Sequence, residues 1–188
     1  MGKNRIGGVI ALLRPAHYLK NLFVVLPLFF SGRMSDLQLL GHALLAFASF
    51  CLIASSVYIF NDVFDAAEDR VHPQNRTRPI ASGAVSVKFA YLLDACLSLV
   101  ALLLAWLVSV QLFYVVLGYK VLNVLYSTVV KRMAIIDVMV LSLGFVLRLL
   151  AGSVATGVQL TEWIIIMTYL LSLLIVLGKR RNDVLAFE

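Results

Sequence analysis

The chain has 188 residues, of which 62% are hydrophobic and only 14% charged, and its formal net charge is +6. That balance excludes an ordinary soluble domain and calls for a bilayer. A basic excess in a soluble protein would raise nucleic acid as a partner, but here the basic residues sit in short loops between apolar spans, as the positive-inside rule places them.

The N-terminal segment, MGKNRIGGVIALLRPAHYLKN, has a basic start and a short apolar patch without a small-residue cleavage site, and reads as an uncleaved interfacial segment. Apolar runs then predict six spans, near residues 19–30, 37–60, 87–108, 112–130, 135–156 and 163–178. The first is short and needs the preceding 17–21 to be helical at the interface. The expected fold is all-α, a polytopic transmembrane helical bundle, with 1–188 forming a single integral membrane domain. Cys51 and Cys96 lie inside apolar runs and read as small core residues with no disulfide or metal role.

Of the 16 Lys and Arg residues, thirteen fall on one set of alternate loops and Arg33 alone on the other. This asymmetry places the N-terminus on the cytoplasmic side. Lys120 and Arg148 remain within the predicted spans, where a charge is costly enough to imply a functional or partnered group. Lys120 could instead snorkel to an interface; Arg148, deeper, needs a carboxylate, a phosphate or several backbone carbonyls.

Between the second and third spans lies NDVFDAAEDRVHPQNRTRPIASG, residues 61–83, with Asp62, Asp65, Glu68, Asp69, Arg70, Arg76, Arg78 and, just beyond, Lys88. Helical continuation puts Asp62, Asp65 and Asp69 at i, i+3 and i+7 on one face; Asn61, Asp65 and Asp69 fit equally at i, i+4 and i+8. Stacked carboxylates repel, by a few tenths of a kcal/mol on a solvated surface and by ~3 kcal/mol at roughly 6 Å with an effective dielectric near 20. A positive group is therefore expected beside them, and hard oxygen ligands without His or Cys point to Mg²⁺ rather than zinc. A diphosphate bridged through Mg²⁺ would meet guanidinium donors from Arg76 and Arg78 on its other side. The plainer reading is a surface cluster in which the arginines merely neutralise the aspartates.

Further cationic clusters face the same side. One is Tyr126 to Arg132 followed by Asp137, which lies three helical turns before Arg148 and can share its face. Another is Lys179, Arg180, Arg181, Asn182 and Asp183 with Glu188, and Arg14-Pro15 and Lys20-Asn21 add a rim. The opposite loops, 31–36, 109–111 and 157–162, are short and nearly uncharged. One polar pocket on the cytoplasmic side is expected, with anionic, partly membrane-soluble clients.

The motif Asn61-Asp62-x-x-Asp65-x-x-x-Asp69 resembles the first aspartate-rich motif of the UbiA superfamily of intramembrane prenyltransferases. More narrowly, DRVHPQNRTRPIASG together with LRPAHYLKN, YSTVVKRMAIID and GFVLRLLAGSVA resembles the decaprenyl-phosphate phosphoribosyltransferase branch. The resemblance implies a UbiA-like bundle with a cytoplasm-facing cavity and a lateral opening for a polyprenyl chain, in a bacterial or archaeal inner membrane. It implies Mg²⁺-dependent transfer of 5-phosphoribose from phosphoribosyl pyrophosphate to a polyprenyl phosphate. By matching position, Asn61, Asp62, Asp65 and Asp69 would hold Mg²⁺ and the pyrophosphate, with Asp65, Asp69, Lys131 and Asp137 as the catalytic groups. Arg76 and Arg78, with Lys20, Tyr126, Lys131 and Asp137, would bind the remaining phosphates and sugar, and Arg70, Arg148, Lys179 and Arg180 are further candidate substrate-binding cations. Members of the family have about nine helices, so the chain is expected to cover the N-terminal two-thirds of such a fold, a second acidic loop beginning near Asp183 and Glu188. Two alternatives stay open: a prenyltransferase moving a polyprenyl group from its diphosphate to an aromatic acceptor, and a non-catalytic anion-binding or transport protein. The last predicts interrupted helices in two matching halves, which the sequence does not display.

Overall fold

Residues 37–64 are apolar all round, and a helix without a polar face belongs inside. In the computed structural model, which describes residues 5–185, this stretch is the central helix. In chain order the elements are α1 (Arg5–Leu13), a 3-10 segment (Pro15–Val24), α2 (Leu26–Phe30), α3 (Leu37–Phe64), α4 (Ala66–Val71), α5 (Val87–Val108), α6 (Val110–Thr128), α7 (Ala134–Thr156) and α8 (Glu162–Leu185). Lys3, Glu188 and the side chains of Arg5, Arg132, Asn182 and Asp183 lie outside the described residues. No strand occurs among those described.

α3 packs against α1, the 3-10 segment, α5, α6 and α7. Its apolar window is 61% buried within the protein, against 11% for α5 and for α8. Those two helices turn Leu99, Leu103, Trp106, Trp163, Leu170 and Leu174 outward, where the hydrocarbon of a bilayer is their solvent. Small residues set the closest contacts: Ala46 and Ala54 of α3 and Ala101 and Ala105 of α5 share one core with Phe50, Ile53, Leu112 and Val116. Small side chains let helix backbones approach in lipid, where burial of apolar surface gives no drive. Ser49 Oγ donates to the Ala101 carbonyl across that contact at 2.8 Å. Side-chain caps start the helices, Asp36 accepting from the amides of Gln38 and Leu39 at 3.1 and 3.2 Å and Ser109 from that of Leu112 at 3.1 Å. Ser109 alone joins α5 to α6.

Five helices are long and apolar enough to cross a membrane, where the apolar runs predict six. The expected first span, 19–30, is the exception. It forms the 3-10 segment followed by the five-residue α2, with Pro15 and Pro27 each at a helix start, where the missing N–H is tolerated. At about 2.0 Å per residue the 3-10 segment climbs ~20 Å and α2 adds ~8 Å. The chain thus passes from Arg14, bonded to Asp62 near the end of α3, to Asp36, which caps its start. The alternation of loops survives even though the element is not a spanning α-helix.

A three-residue turn also fixes what this segment presents. Asn21 and Val24, at i and i+3, are buried, and Arg14, His17 and Lys20 repeat at the same interval on another stripe. The buried stripe lies on α7 at Gly152, where a Cβ would stand 1.8 Å from the Val24 carbonyl oxygen. Only glycine admits that approach.

Lys120 of α6 does not snorkel. Its ammonium donates to Asp94 of α5 at 2.5 Å and to Ser56 Oγ of α3 at 2.6 Å, and Ser56 shares a further 2.8 Å bond with Ser98. The partner Asp94, inside the third predicted span, is not among the residues the sequence singles out.

Two substitutions test this packing by thermal unfolding of the detergent-solubilised protein. Gly152→Ala should lower stability by about 3 kcal/mol, whereas Gly41→Ala, with nothing within 4 Å of the added Cβ, should raise it by up to ~1 kcal/mol; equal shifts would refute the close contact. Lys120→Met alone leaves a buried carboxylate and should cost about 3–5 kcal/mol, most of it recovered when Asp94→Leu is added. Absence of recovery in the double variant would show that the two charges are not coupled.

Candidate active site

A cavity of about 590 Å³ opens at the end of the bundle where α3 meets α4. α3 stops at Phe64 and α4 starts at Ala66, but the amide of Asp65 still donates to Asn61 O and that of Asp69 to Asp65 O, both at 2.9 Å. The helical register therefore continues through the break. Of the two stripes the spacing allows, the i, i+4, i+8 set faces the cavity: Asn61, Asp65 and Asp69 line it. Asp62 is turned one position aside, 2% exposed, behind them.

Each of these three carboxylates is held by a cation, from a distant part of the chain for Asp62 and Asp65 and from the loop after α4 for Asp69. Arg14 binds Asp62 at 2.6 Å, Arg78 binds Asp69 at 2.8 Å and reaches Asp62 at 3.5 Å, and Lys131 binds Asp65 at 2.5 Å. Asn61 Nδ2 also donates to Asp65 at 3.0 Å. The positive group expected beside the stripe is thus present as protein cations, as in the plainer of the two readings of the sequence. Arg14 adopts φ 50°, ψ 56° to make its contact, a left-handed conformation costing an L-residue roughly 1–2 kcal/mol, and its guanidinium stacks over Tyr58 at 5.0 Å.

The opposite wall comes from α6, α7 and α8. Asp137, 1% exposed, accepts from Tyr126 Oη at 2.7 Å and from Arg180. It stands behind the lining and fixes Tyr126 and Arg180, which do line it. Asp137 and Arg148 do not share partners. Arg148, 5% exposed, donates to Asn21 Oδ1 at 2.7 Å, to the Gly144 carbonyl at 2.7 Å and to Tyr119 Oη at 2.8 Å. All three acceptors are neutral.

Lys20, Asn61, Asp65, Asp69, Arg78, Tyr126, Lys131, Arg148, Lys179 and Arg180 are brought to one cavity. Arg70 and Arg76 are not. Arg70 sits one position round α4 from the buried Asp69, and Arg76 is exposed on the 3-10 turn Asn75–Thr77. The sequence reading missed His17, Tyr58, Tyr119 and Asn123 in the lining. For His17 the signal was the three-residue repeat with Arg14 and Lys20; Tyr58, Tyr119 and Asn123 are hidden inside apolar runs.

The family model of the UbiA prenyltransferase family matches residues 22–180. This chain is a member of that family. Among its UbiA relatives, the decaprenyl-phosphate phosphoribosyltransferase of Mycolicibacterium smegmatis is 36% identical over 182 residues, a match covering 95% of this chain and 57% of that protein. The enzyme of the same name from Corynebacterium glutamicum is 35% identical over 190 residues, covering 99% of this chain and 57% of the relative. The chain thus spans less than two-thirds of the length of these relatives. The structure of a UbiA homolog from Archaeoglobus fulgidus bound to GPP and Mg²⁺ superposes with a TM-score of 0.76 at 24% identity, over 88% of this chain and 60% of that one. UbiA membership and five apolar helices make the protein an integral membrane protein.

The donor set suits Mg²⁺ of a particular kind. Asn61, Asp65 and Asp69 offer hard oxygens to the cavity, yet among the described residues no group of three His, Cys, Asp or Glu is gathered closely enough to hold an ion alone. Mg²⁺ ordinarily binds through one or two carboxylates, waters and substrate phosphates. The residues fit an ion arriving with a diphosphate better than one resident in a protein cage.

Burial, followed by the charges of Lys20, Arg14 and Lys179, lowers the pKa of His17 from 6.5. Below that value the unfolded chain takes up the proton before the folded chain does, so stability should fall as pH drops from 6.5 through the folded midpoint. Histidine-detected NMR should show the His17 midpoint below 6.5 and moving upward in Lys20→Gln; an unmoved midpoint would separate the two side chains.

Proposed function

We propose that this UbiA-family chain serves Mg²⁺-dependent transfer of 5-phosphoribose from phosphoribosyl pyrophosphate to a polyprenyl phosphate, at the cytoplasmic face of the membrane. The observation that carries the reading is the charge of the cavity: Arg14, Lys20, Arg78, Lys131, Arg148, Lys179 and Arg180 stand against Asp65, Glu68 and Asp69 on its wall and Asp62 and Asp137 just behind it, an excess of cations even so. Several phosphates are the ligands that such an excess would stabilise. Val140, Leu141, Phe145 and Val176 form an apolar part of the same lining, suited to the first isoprene units of a lipid. The relatives named for this reaction support the choice of substrates.

In this reading Asn61, Asp65 and Asp69 would hold an Mg²⁺ that arrives with the pyrophosphate. Bound there, the ion would offset charge growing on the departing pyrophosphate. Lys131 and Arg78, whose side chains are 39% and 29% exposed, turn from their aspartates to phosphate oxygens. Asp62 keeps Arg14 in place, and Asp137 keeps Tyr126 and Arg180 in place. The bond from the ribose anomeric carbon to the pyrophosphate oxygen breaks, its electron pair leaving with pyrophosphate. An oxygen of the lipid phosphate, already anionic, forms the new bond to that carbon, so no general base is needed. Fixed cations around both phosphates stabilise the separation of charge without reorganising.

Membranes carrying the protein, given radiolabelled phosphoribosyl pyrophosphate, polyprenyl phosphate and Mg²⁺, should yield labelled lipid. Asp65→Asn should reduce that yield by about 10²-fold with little change in folded protein. Turnover of a polyprenyl diphosphate with an aromatic acid, and no labelled lipid, would overturn the assignment.

A further inference from the structure

A second hollow, of about 540 Å³, shares no residue with the active-site cavity. Val9 and Ile10 of α1 line one side, and residues 83–86 with Phe89 of α5 line the other. Both sides are anchored. Leu12 of α1 is fully buried and shares a core with Ile59 of α3 and with Ile80 and Val85 of the turn before α5. The carbonyl of Leu13 accepts from Ser55 Oγ at 2.8 Å. Within the turn, the Val85 amide donates to the Pro79 carbonyl at 3.0 Å, and Ser86 Oγ accepts from the Phe89 amide at 3.3 Å. The two sides meet closely at one point, where a Cβ on Gly8 would stand 3.2 Å from Val85 Cγ2. Val85 is buried, whereas Ile10 and Phe89 are about half exposed. The groove is therefore preformed, and its lip is apolar.

Depth and charge select its occupant. α5 begins at Val87 and is long and apolar enough to cross the membrane, so Phe89, in its first turn, stands where headgroups give way to hydrocarbon. α1 belongs to the segment that reads from its sequence as interfacial. A soluble partner would have to enter the headgroup layer to reach Ile10 and Phe89, whereas an alkyl chain is already there. Lys88, beside Phe89, is exposed and makes no ion pair among the described residues. Residues 5–13 and 79–93 contain no Asp or Glu, so the segments that form the groove offer an anion attraction without repulsion. We infer that the groove between α1 and the start of α5 binds one anionic phospholipid from the leaflet on the cavity side, with an acyl chain against Ile10, Val85 and Phe89 and the headgroup phosphate at Lys88. Each methylene laid in the groove adds to affinity, and a lysine at the membrane surface favours an anionic headgroup over a zwitterionic one. The lipid is a bound ligand of the fold and not a substrate, so the site stands apart from the reaction proposed for the cavity.

The test is native mass spectrometry of the purified protein in detergent, titrated separately with dioleoyl phosphatidylglycerol and dioleoyl phosphatidylcholine. The one-to-one adduct with phosphatidylglycerol should form about fivefold more tightly. Lys88→Gln should remove that preference, and Ile10→Ser/Phe89→Ser should weaken both adducts by about tenfold. Leu170→Ser/Leu174→Ser, on the outward face of α8, controls for general lipid contact and should change neither. Equal affinity for the two lipids in the unaltered protein, or the same loss in the α8 variant as in the groove variant, would overturn the proposal. So would a dimer that Ile10→Ser/Phe89→Ser dissociates while the lipid adducts persist, because the groove would then belong to a second copy of the chain.

Discussion

Withdrawing a carboxylate or an ammonium from water costs several kcal/mol even after a protein relaxes around it, and the chain meets that cost by crossing itself. Arg14 and Asp62 are 48 residues apart, Lys131 and Asp65 are 66 apart, and Arg180 and Asp137 are 43 apart. Each pair joins segments that apolar packing alone would leave free to slide, since lipid tails are as apolar as the side chains. The mouth of the cavity is thus defined by charge, and the apolar body by small residues and the glycine at 152.

Those pairs are unequal in a way that matters for chemistry. The carboxylates are fixed, with Asp62 and Asp137 at 2% and 1% exposure, while Arg14, Arg78 and Lys131 are a quarter or more exposed along their side chains. An entering anion can recruit the cations without dislodging the acids. The aspartates then regain free oxygens as the anion acquires its donors, and the negative charge so released would have to be offset by a cation entering with the anion. A wholly buried network would resist such a trade, and a wholly exposed one would give it little energy.

Much of this was legible from residue order. Apolar runs located five spanning helices to within a few residues, and the spacing of Asn61, Asp65 and Asp69 placed them on one stripe. Arg78, Lys131 and Arg180 were recognisable as cations converging on one side. What periodicity could not show was a change of period. Residues 15–24 wind with three residues per turn, an uncommon length for that conformation, and this brings Arg14, His17 and Lys20 into line. Nor could pattern decide between Asn61 and Asp62, which differ by one position and are separated only by what packs behind them. Asp94 escaped because a single acid in an apolar run has no partner until α6 folds back on α5. The acidic stripe was legible as needing a positive neighbour, but not which one, because the cations arrive from three other segments.

The one-residue join at Ser109 has its own effect on biogenesis. α5 and α6 leave it as a hairpin whose arms already bring Asp94 and Lys120 into contact. Taken singly, each charge resists entry into the hydrocarbon by about 2.5–3.5 kcal/mol on the insertion scale. Delivered together they would enter as an electrically cancelled couple, at a lower cost than the two charges bring singly.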